Sequence, residues 1–382
     1  MKKLFLISVL ILSFIYSVFC QIQPTSSVYY ADGIYSVVSD SATVGSKKVL
    51  LYRPSQLPIV KYPVFIFQPG ANGIFGGTIN VHTYDLFLQH LCSWGFVVLV
   101  IDETSAGMPN GATFKDVHSW FKNKAADTNH WLNSYADTSK VIIGGHSNGG
   151  VNASALLIDR PHEIHGIVYF ASYPSDNILM PHDVSGYTGK VLSLAGSEDN
   201  SSTPSACKNG YNSFISSCCR TYVLITGLGH GGFGDYQHSS QVVGTIGRAD
   251  ATASIRHYLL SFMLSQFKND VSAYNNLTQS ILQPNTTGEF ITNCNATVEI
   301  APRKNELIFE FYPNPAMDYL YLNNKSKSVL NLQFINIRGQ IVKNFKLNNT
   351  DVISVSQLTP GKYFIIVDGD LGYRQTAVFI KK

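Results

Sequence analysis

Two regimes of hydrophobic and polar patterning divide the chain. Between about residues 33 and 268, short runs of β-branched and aromatic residues alternate with longer stretches whose apolar positions recur at helical spacing. The short runs predict strands at Gly33–Asp40, Lys48–Arg53, Val64–Phe67, Phe96–Ile101, Val141–Ile143, Ile167–Phe170, Lys190–Leu194 and Tyr222–Ile225. The longer stretches predict helices over Val81–Cys92, Thr113–Tyr135, the residues after Ser147, and Ala249–Phe267. This alternation predicts the α/β class, a mostly parallel sheet with helices on both faces. Ligands of such sheets sit beyond the carboxyl ends of the strands, so functional residues should follow strands rather than lie within them.

From Leu307 the period changes to two. Ile308–Tyr312, Tyr319–Leu322, Leu330–Ile337, Ile341–Leu347, Val352–Val355, Tyr363–Val367 and Thr376–Ile380 are short strand candidates, separated by turn residues such as Arg338-Gly339 and Pro360-Gly361. They predict a small all-β sandwich over residues 307–382. Residues 271–306 are rich in Asn, Thr and Ser with little periodicity, and read as a linker or an extended tail of the first domain. Residues 1–20 carry Lys2 and Lys3 before an apolar run from Leu4 to Ile15, the pattern of a secretory signal peptide. Cleavage after Cys20 would start the mature chain at Gln21, giving a catalytic-domain candidate over 21–270; the rival reading makes Cys20 a lipidated residue. No later segment is long and apolar enough to cross a bilayer.

Composition adds exclusions. Hydrophobic residues make up 45% of the chain, ample for a core, while charged residues make up only 14% and the net charge is +3. Global charge therefore gives no support for a nucleic-acid or acidic partner. Beyond the leader stand Cys92, Cys207, Cys218, Cys219 and Cys294, and export permits pairing. Cys207 with Cys218 or Cys219 would close a small loop and Cys294 could take another partner, while Cys92 reads as buried. No cysteine spacing resembles a zinc site.

The chemistry centres on Val141-Ile142-Ile143-Gly144-Gly145-His146-Ser147-Asn148-Gly149-Gly150. A strand runs into G-x-S-x-G and a helix follows, the context of a nucleophile elbow, which makes Ser147 the candidate nucleophile. A serine hydroxyl needs a base oriented by an acid, and the chain order expected on such a sheet is Ser, acid, His. After the strand Lys190–Leu194 comes Ala195-Gly196-Ser197-Glu198-Asp199, so Asp199 is the acid, with Glu198 as the fallback. After Tyr222–Ile225 comes Gly227-Leu228-Gly229-His230-Gly231-Gly232-Phe233, so His230 is the base. His146 points away from the nucleophile and packs beneath the elbow. One oxyanion donor is the amide of Asn148; the other comes from Gln68-Pro69-Gly70-Ala71-Asn72-Gly73, with Ala71 first and Asn72 next. Asn72, Phe75, Trp131 and Phe233 are candidate lining residues of a substrate pocket.

With Pro-Gly-Ala-Asn-Gly, Gly-His-Ser-Asn-Gly-Gly, Ala-Gly-Ser-Glu-Asp and Gly-His-Gly-Gly-Phe in place, residues of about 30–270 resemble a secreted α/β-hydrolase of the dienelactone-hydrolase, chlorophyllase and cutinase-like branch. The resemblance implies hydrolysis of carboxylic esters by a Ser-His-Asp triad, without metal or cofactor. Polyester-degrading cutinase relatives usually carry an aromatic residue where Ala71 stands, and that side chain is absent here. Alternatives within the enzyme class are a polyester, lipid or acetyl/feruloyl polysaccharide ester; outside it stands a silent surface binding protein on the same scaffold. Phe311-Tyr312-Pro313-Asn314-Pro315, Tyr319-Leu320-Tyr321-Leu322 and Leu358-Thr359-Pro360-Gly361-Lys362-Tyr363 resemble a C-terminal sorting domain of the type IX secretion system. That resemblance implies the type IX secretion machinery as a partner, and a secreted or cell-surface location reached through the periplasm and outer membrane.

Overall fold

The computed structural model describes residues 22–72, 79–105, 107–174, 182–235, 242–294, 309–324, 329–338, 340–348, 350–368 and 374–382. The leader expected over 1–20 and Phe75 lie outside them. The chain divides into two compact units, residues 1–296 and 297–382.

In the first unit, β1 (Val37–Val44), β2 (Lys47–Pro54), β3 (Tyr62–Gln68), β4 (Val97–Ile101), β5 (Ala136–His146), β6 (Gly166–Phe170), β7 (Lys190–Gly196), β8 (Cys219–Ile225) and β9 (Thr287–Thr292) form one sheet. Its order is β1-β2-β4-β3-β5-β6-β7-β8-β9. The six strands from β4 to β8 in that order pair parallel, whereas β1, β2 and β9 pair antiparallel at the margins.

The period of two sorts each central strand between two cores. Phe65, Phe67, Val98, Val100, Ile142 and Val168 face one side. There they pack on Phe87, Leu88 and Leu91 of α1 (Asp85–Ser93) and on Ile255, Leu259 and Phe262 of α6 (Arg248–Phe267). Val64, Ile66, Val97, Leu99 and Ile143 face the other. They meet Phe114, Val117 and Phe121 of α2 (Ala112–Ala126) and Ala153 and Leu156 of α4 (Asn148–Asp159). Strands covered on both sides lose all polar alternation, which is why β3 and β4 are buried along their whole length.

One expectation changes here, and another is narrowed to one of its alternatives. The single helix over Thr113–Tyr135 is two pieces, α2 and α3 (Trp131–Tyr135), because Asp127 leaves the helical conformation and an Asp-Thr-Asn turn intervenes. Of the segment read as a linker or an extended tail of the first domain, residues 271–294 continue the first unit, in line with the second alternative. They form α7 (Val271–Thr278), capped by Asp270 through a 2.9 Å bond from the Ala273 amide, and then β9 on the edge of β8. Ala273 and Leu277 are fully buried there, apolar anchors too sparse to register as periodicity among the polar residues. Between β7 and β8, α5 (Pro204–Ser213) starts at Thr203, whose hydroxyl accepts from the Ala206 amide.

The expected Cys207 pairing is also corrected. Cys219 bonds Cys294 and ties β8 to the segment after β9, while Cys207 is a buried thiol against Tyr211 and Tyr222. Antiparallel pairing of β8 with β9 brings residues 219 and 294 together, a contact that sequence distance conceals.

The named strands of the second unit all pair antiparallel. β10 (Phe309–Tyr312), β11 (Tyr319–Asn324) and β14 (Thr350–Ser354) make a three-stranded sheet in the order β10-β11-β14. β12 (Leu330–Asn336), β13 (Ile341–Leu347), β15 (Gly361–Asp368) and β16 (Arg374–Lys381) make a four-stranded one in the order β13-β12-β15-β16. Leu320, Leu322, Leu332, Phe334, Ile353, Ile365 and Phe379 share its core. Among the described residues, no helix is long and apolar enough to cross a membrane.

Candidate active site

Ser147 stands between the end of β5 and the start of α4 with φ 51° and ψ −123°. A non-glycine residue pays strain to hold a positive φ, and it persists only where its surroundings dictate it. They do so here. The Ser147 amide donates to the Phe170 carbonyl at 3.0 Å, and its carbonyl accepts from Gly150 N at 3.0 Å and from Ser172 Oγ at 2.6 Å. Both motif glycines are sterically required. A Cβ on Gly145 would lie 2.3 Å from the Gly149 carbonyl carbon, and one on Gly149 would lie 2.1 Å from the Gln68 oxygen. The turn can therefore close only where neither residue has a side chain.

Asp199 and His230 follow β7 and β8 at the same edge of the sheet. His230 Nδ1 lies 2.7 Å from Asp199 Oδ2, with both side chains buried. The other carboxylate oxygen, Oδ1, accepts from the amides of Ser201 and Ser202, each at 2.8 Å. One carboxylate thus holds an imidazole with one oxygen and is itself aimed by two backbone donors. The His230 loop is stapled on both sides of the histidine, Gly229 N to Val243 O at 2.7 Å and Gly231 N to Val242 O at 3.1 Å. Glu198 turns the other way and accepts from the Thr245 amide at 2.9 Å and from its hydroxyl.

His146 links the elbow to this pair. Its ring is fully buried, with its centroid 4.4 Å from that of His230 and 5.9 Å from Phe233. Burial above all, and then the charge of His230, push its pKa well below the ordinary histidine value.

In the loop after β3, the Gly70 amide donates to Tyr84 Oη at 3.1 Å and the Asn72 amide to the Thr104 carbonyl at 2.8 Å. The Asn72 amide is thus committed to a backbone acceptor, and Ala71 lies between these two bonded residues. Asn148 opens α4, so its N–H has no intrahelical acceptor and points out of the helix N-terminus.

The pocket candidates fare differently. Asn72 is used structurally: its side chain donates to the Ile79 carbonyl and accepts from the Ile79 amide, both at 2.8 Å. Trp131 lies at the far end of β5 from Ser147, beside Arg53 and stacked on His130, so it lines no pocket at the elbow. A residue that precedes a parallel strand emerges at the opposite edge from one that follows it. Phe233 is wholly buried against His146 and Phe170, a floor beneath the site rather than a wall open to ligand. Ser172 and Tyr84 were missed. Neither belongs to a recognisable motif, and only their position just after β6 and just before α1 signals them. Among the described residues, no group of three or more His, Cys, Asp and Glu side chains is placed to hold a metal ion.

Residues 65–248 match the model of the Alpha/beta hydrolase family, and residues 310–382 match that of the Secretion system C-terminal sorting domain. No curated protein matches the chain.

Proposed function

We propose that this chain, an α/β hydrolase joined to a secretion-sorting tail, is a serine esterase that cleaves carboxylic esters through an acyl-enzyme. The observation that carries this reading is the buried 2.7 Å contact of His230 Nδ1 with Asp199 Oδ2, packed against the strained turn of Ser147 through His146.

In this reading, Nε2 of His230 takes the proton of the Ser147 hydroxyl as Oγ attacks the ester carbonyl. Asp199 fixes the tautomer and balances the imidazolium that forms. The tetrahedral oxyanion accepts from the amides of Ala71 and Asn148, each such donor contributing roughly 3 kcal/mol to the transition state. His230 returns the proton to the departing alcohol. Water then attacks the acyl-enzyme by the same steps in reverse.

The sorting tail supports release from the cell or display on its surface, and the machinery it would engage is that of type IX secretion. The leader over residues 1–20 would supply the first step of that route.

Hydrolysis of p-nitrophenyl esters from acetate to octanoate, with Ser147→Ala as control, tests the reading. Turnover that vanishes in the variant supports it, and the chain-length optimum separates short esters from lipids. A panel of polyesters and acetylated or feruloylated polysaccharides divides the remaining enzyme readings. Folded protein that neither turns over any ester nor labels with a serine-directed phosphonate favours a binding role.

A further inference from the structure

The geometry points to Tyr84 and His146 as a buried positioning pair that holds the oxyanion loop and the base loop in one register. The inference rests on the reading of Ser147, His230 and Ala71 given above.

One imidazole reaches all three parts of the site. His146 is covalently joined to Ser147 through the peptide bond, and its ring lies 4.4 Å from that of His230. Its Nδ1 lies 2.8 Å from Tyr84 Oη, and that same oxygen receives the Gly70 amide at 3.1 Å. Gly70 immediately precedes Ala71, so the orientation of the proposed oxyanion donor is set one peptide away from this bond. The approach is close: a Cβ on Gly70 would sit 2.8 Å from His146 Nδ1. Tyr84 and His146 are both fully buried, so water does not substitute for either partner.

A backbone N–H can only donate, so Tyr84 Oη accepts from Gly70. In the proposed pairing the hydroxyl proton goes to a bare His146 Nδ1 and the ring proton sits on Nε2. A neutral His146 also spares the imidazolium that forms on His230 a second positive charge at ring-contact distance. Burial and the neighbouring His230 both favour that neutral form.

Cutting the bridge frees the loop at Gly70 and loosens the aim of the Ala71 amide. That amide matters most when the oxyanion develops, so the loss belongs in kcat rather than KM.

The test is a steady-state comparison of Tyr84→Phe, His146→Leu, His146→Asn and the double variant Tyr84→Phe/His146→Leu on p-nitrophenyl butyrate, with Tm measured alongside. Tyr84→Phe and His146→Leu should each lower kcat roughly tenfold or more with KM within about twofold. The double variant should be no worse than the poorer single one, since both break the same link. His146→Asn presents an acceptor to the tyrosine and should recover most of kcat. Wild-type kcat in Tyr84→Phe, a loss confined to KM, or losses that multiply in the double variant would overturn the pairing. If Tyr84→Phe fails to fold, the asparagine and leucine variants decide: equal kcat in those two overturns it. A wild type without turnover or phosphonate labelling would overturn the reading of Ser147, and this inference with it.

Discussion

Asp199 Oδ2 and His230 Nδ1 lie 2.7 Å apart although 31 residues separate them in the chain, and each is held by its own loop. Asp199→Asn keeps the shape but lets the amide present a donor to Nδ1, so the imidazole is fixed in the wrong tautomer. The expected fall in kcat is on the order of 10³- to 10⁴-fold. Glu198→Gln, one residue away, should stay within about threefold, because Glu198 ties down Thr245 and does not face the histidine. Rates on a p-nitrophenyl ester for the two variants distinguish the acid from its neighbour; equal losses would contradict the assignment.

Gly149→Ala places a methyl group 2.1 Å from the Gln68 oxygen and 2.4 Å from the Pro69 oxygen. Both are backbone atoms, one on the last residue of β3 and one on the first residue of the loop after it, so the elbow and that segment must separate. A cost of about 3 kcal/mol or more is expected. For a domain of this size that lowers Tm by roughly 6–12 °C. Calorimetry reads it directly, and an unchanged Tm would contradict the steric requirement for glycine at 149.

Acid should destabilise the first unit well above the carboxylate range. Burial, the largest cause in each case, lowers the pKa of His90, His118 and His257 from 6.5 to about 4. The neutral rings are committed. His90 Nε2 donates to the Ala31 carbonyl at 2.9 Å, His118 Nδ1 accepts from Arg160 at 3.0 Å, and His257 Nδ1 lies 2.8 Å from Ser27 Oγ. Because the folded-state values are depressed, the unfolded chain binds protons first as pH falls. Stability is therefore full above about pH 6.5, declines between pH 6.5 and about 4, and levels off below. Each ring contributes about 3 kcal/mol at most to that loss. Denaturant titrations at pH 7, 5.5 and 4.5 measure it; a flat profile would show that the rings protonate without cost.

Only Cys218 among the described free cysteines is exposed, with Cys92 and Cys207 buried. In protein beginning at Gln21, a thiol reagent should therefore titrate one group in the native state and three after unfolding without reductant. Cys294→Ser removes the tie to Cys219 across 75 residues of sequence and should cost roughly 4 kcal/mol. Five reactive thiols in unfolded, unreduced protein would contradict the bridge.

Much of this molecule is written in its sequence because local chemistry decides it. Apolar runs of β-branched residues between helical patterns specify a parallel sheet, since only strands buried on both faces tolerate no polar alternation. Gly145 and Gly149 could be anticipated as backbone requirements of the turn at Ser147, and the rule that ligands gather at carboxyl strand ends singled out Asp199 and His230.

Tertiary structure alone decided the rest, where a residue's role depends on what packs against it from far along the chain. Trp131 and Phe233 both read as candidate lining residues of a pocket, yet one lies at the far edge of the sheet from Ser147 and the other beneath the site. Cys219 found Cys294 rather than Cys207 because β9 adds to β8, an edge pairing with no local signal. Tyr84 became a partner of Gly70 and His146 only once α1 docked on the sheet. Periodicity reports which face of an element is buried; it carries no information about which distant groups share that burial, and the site is made of such groups.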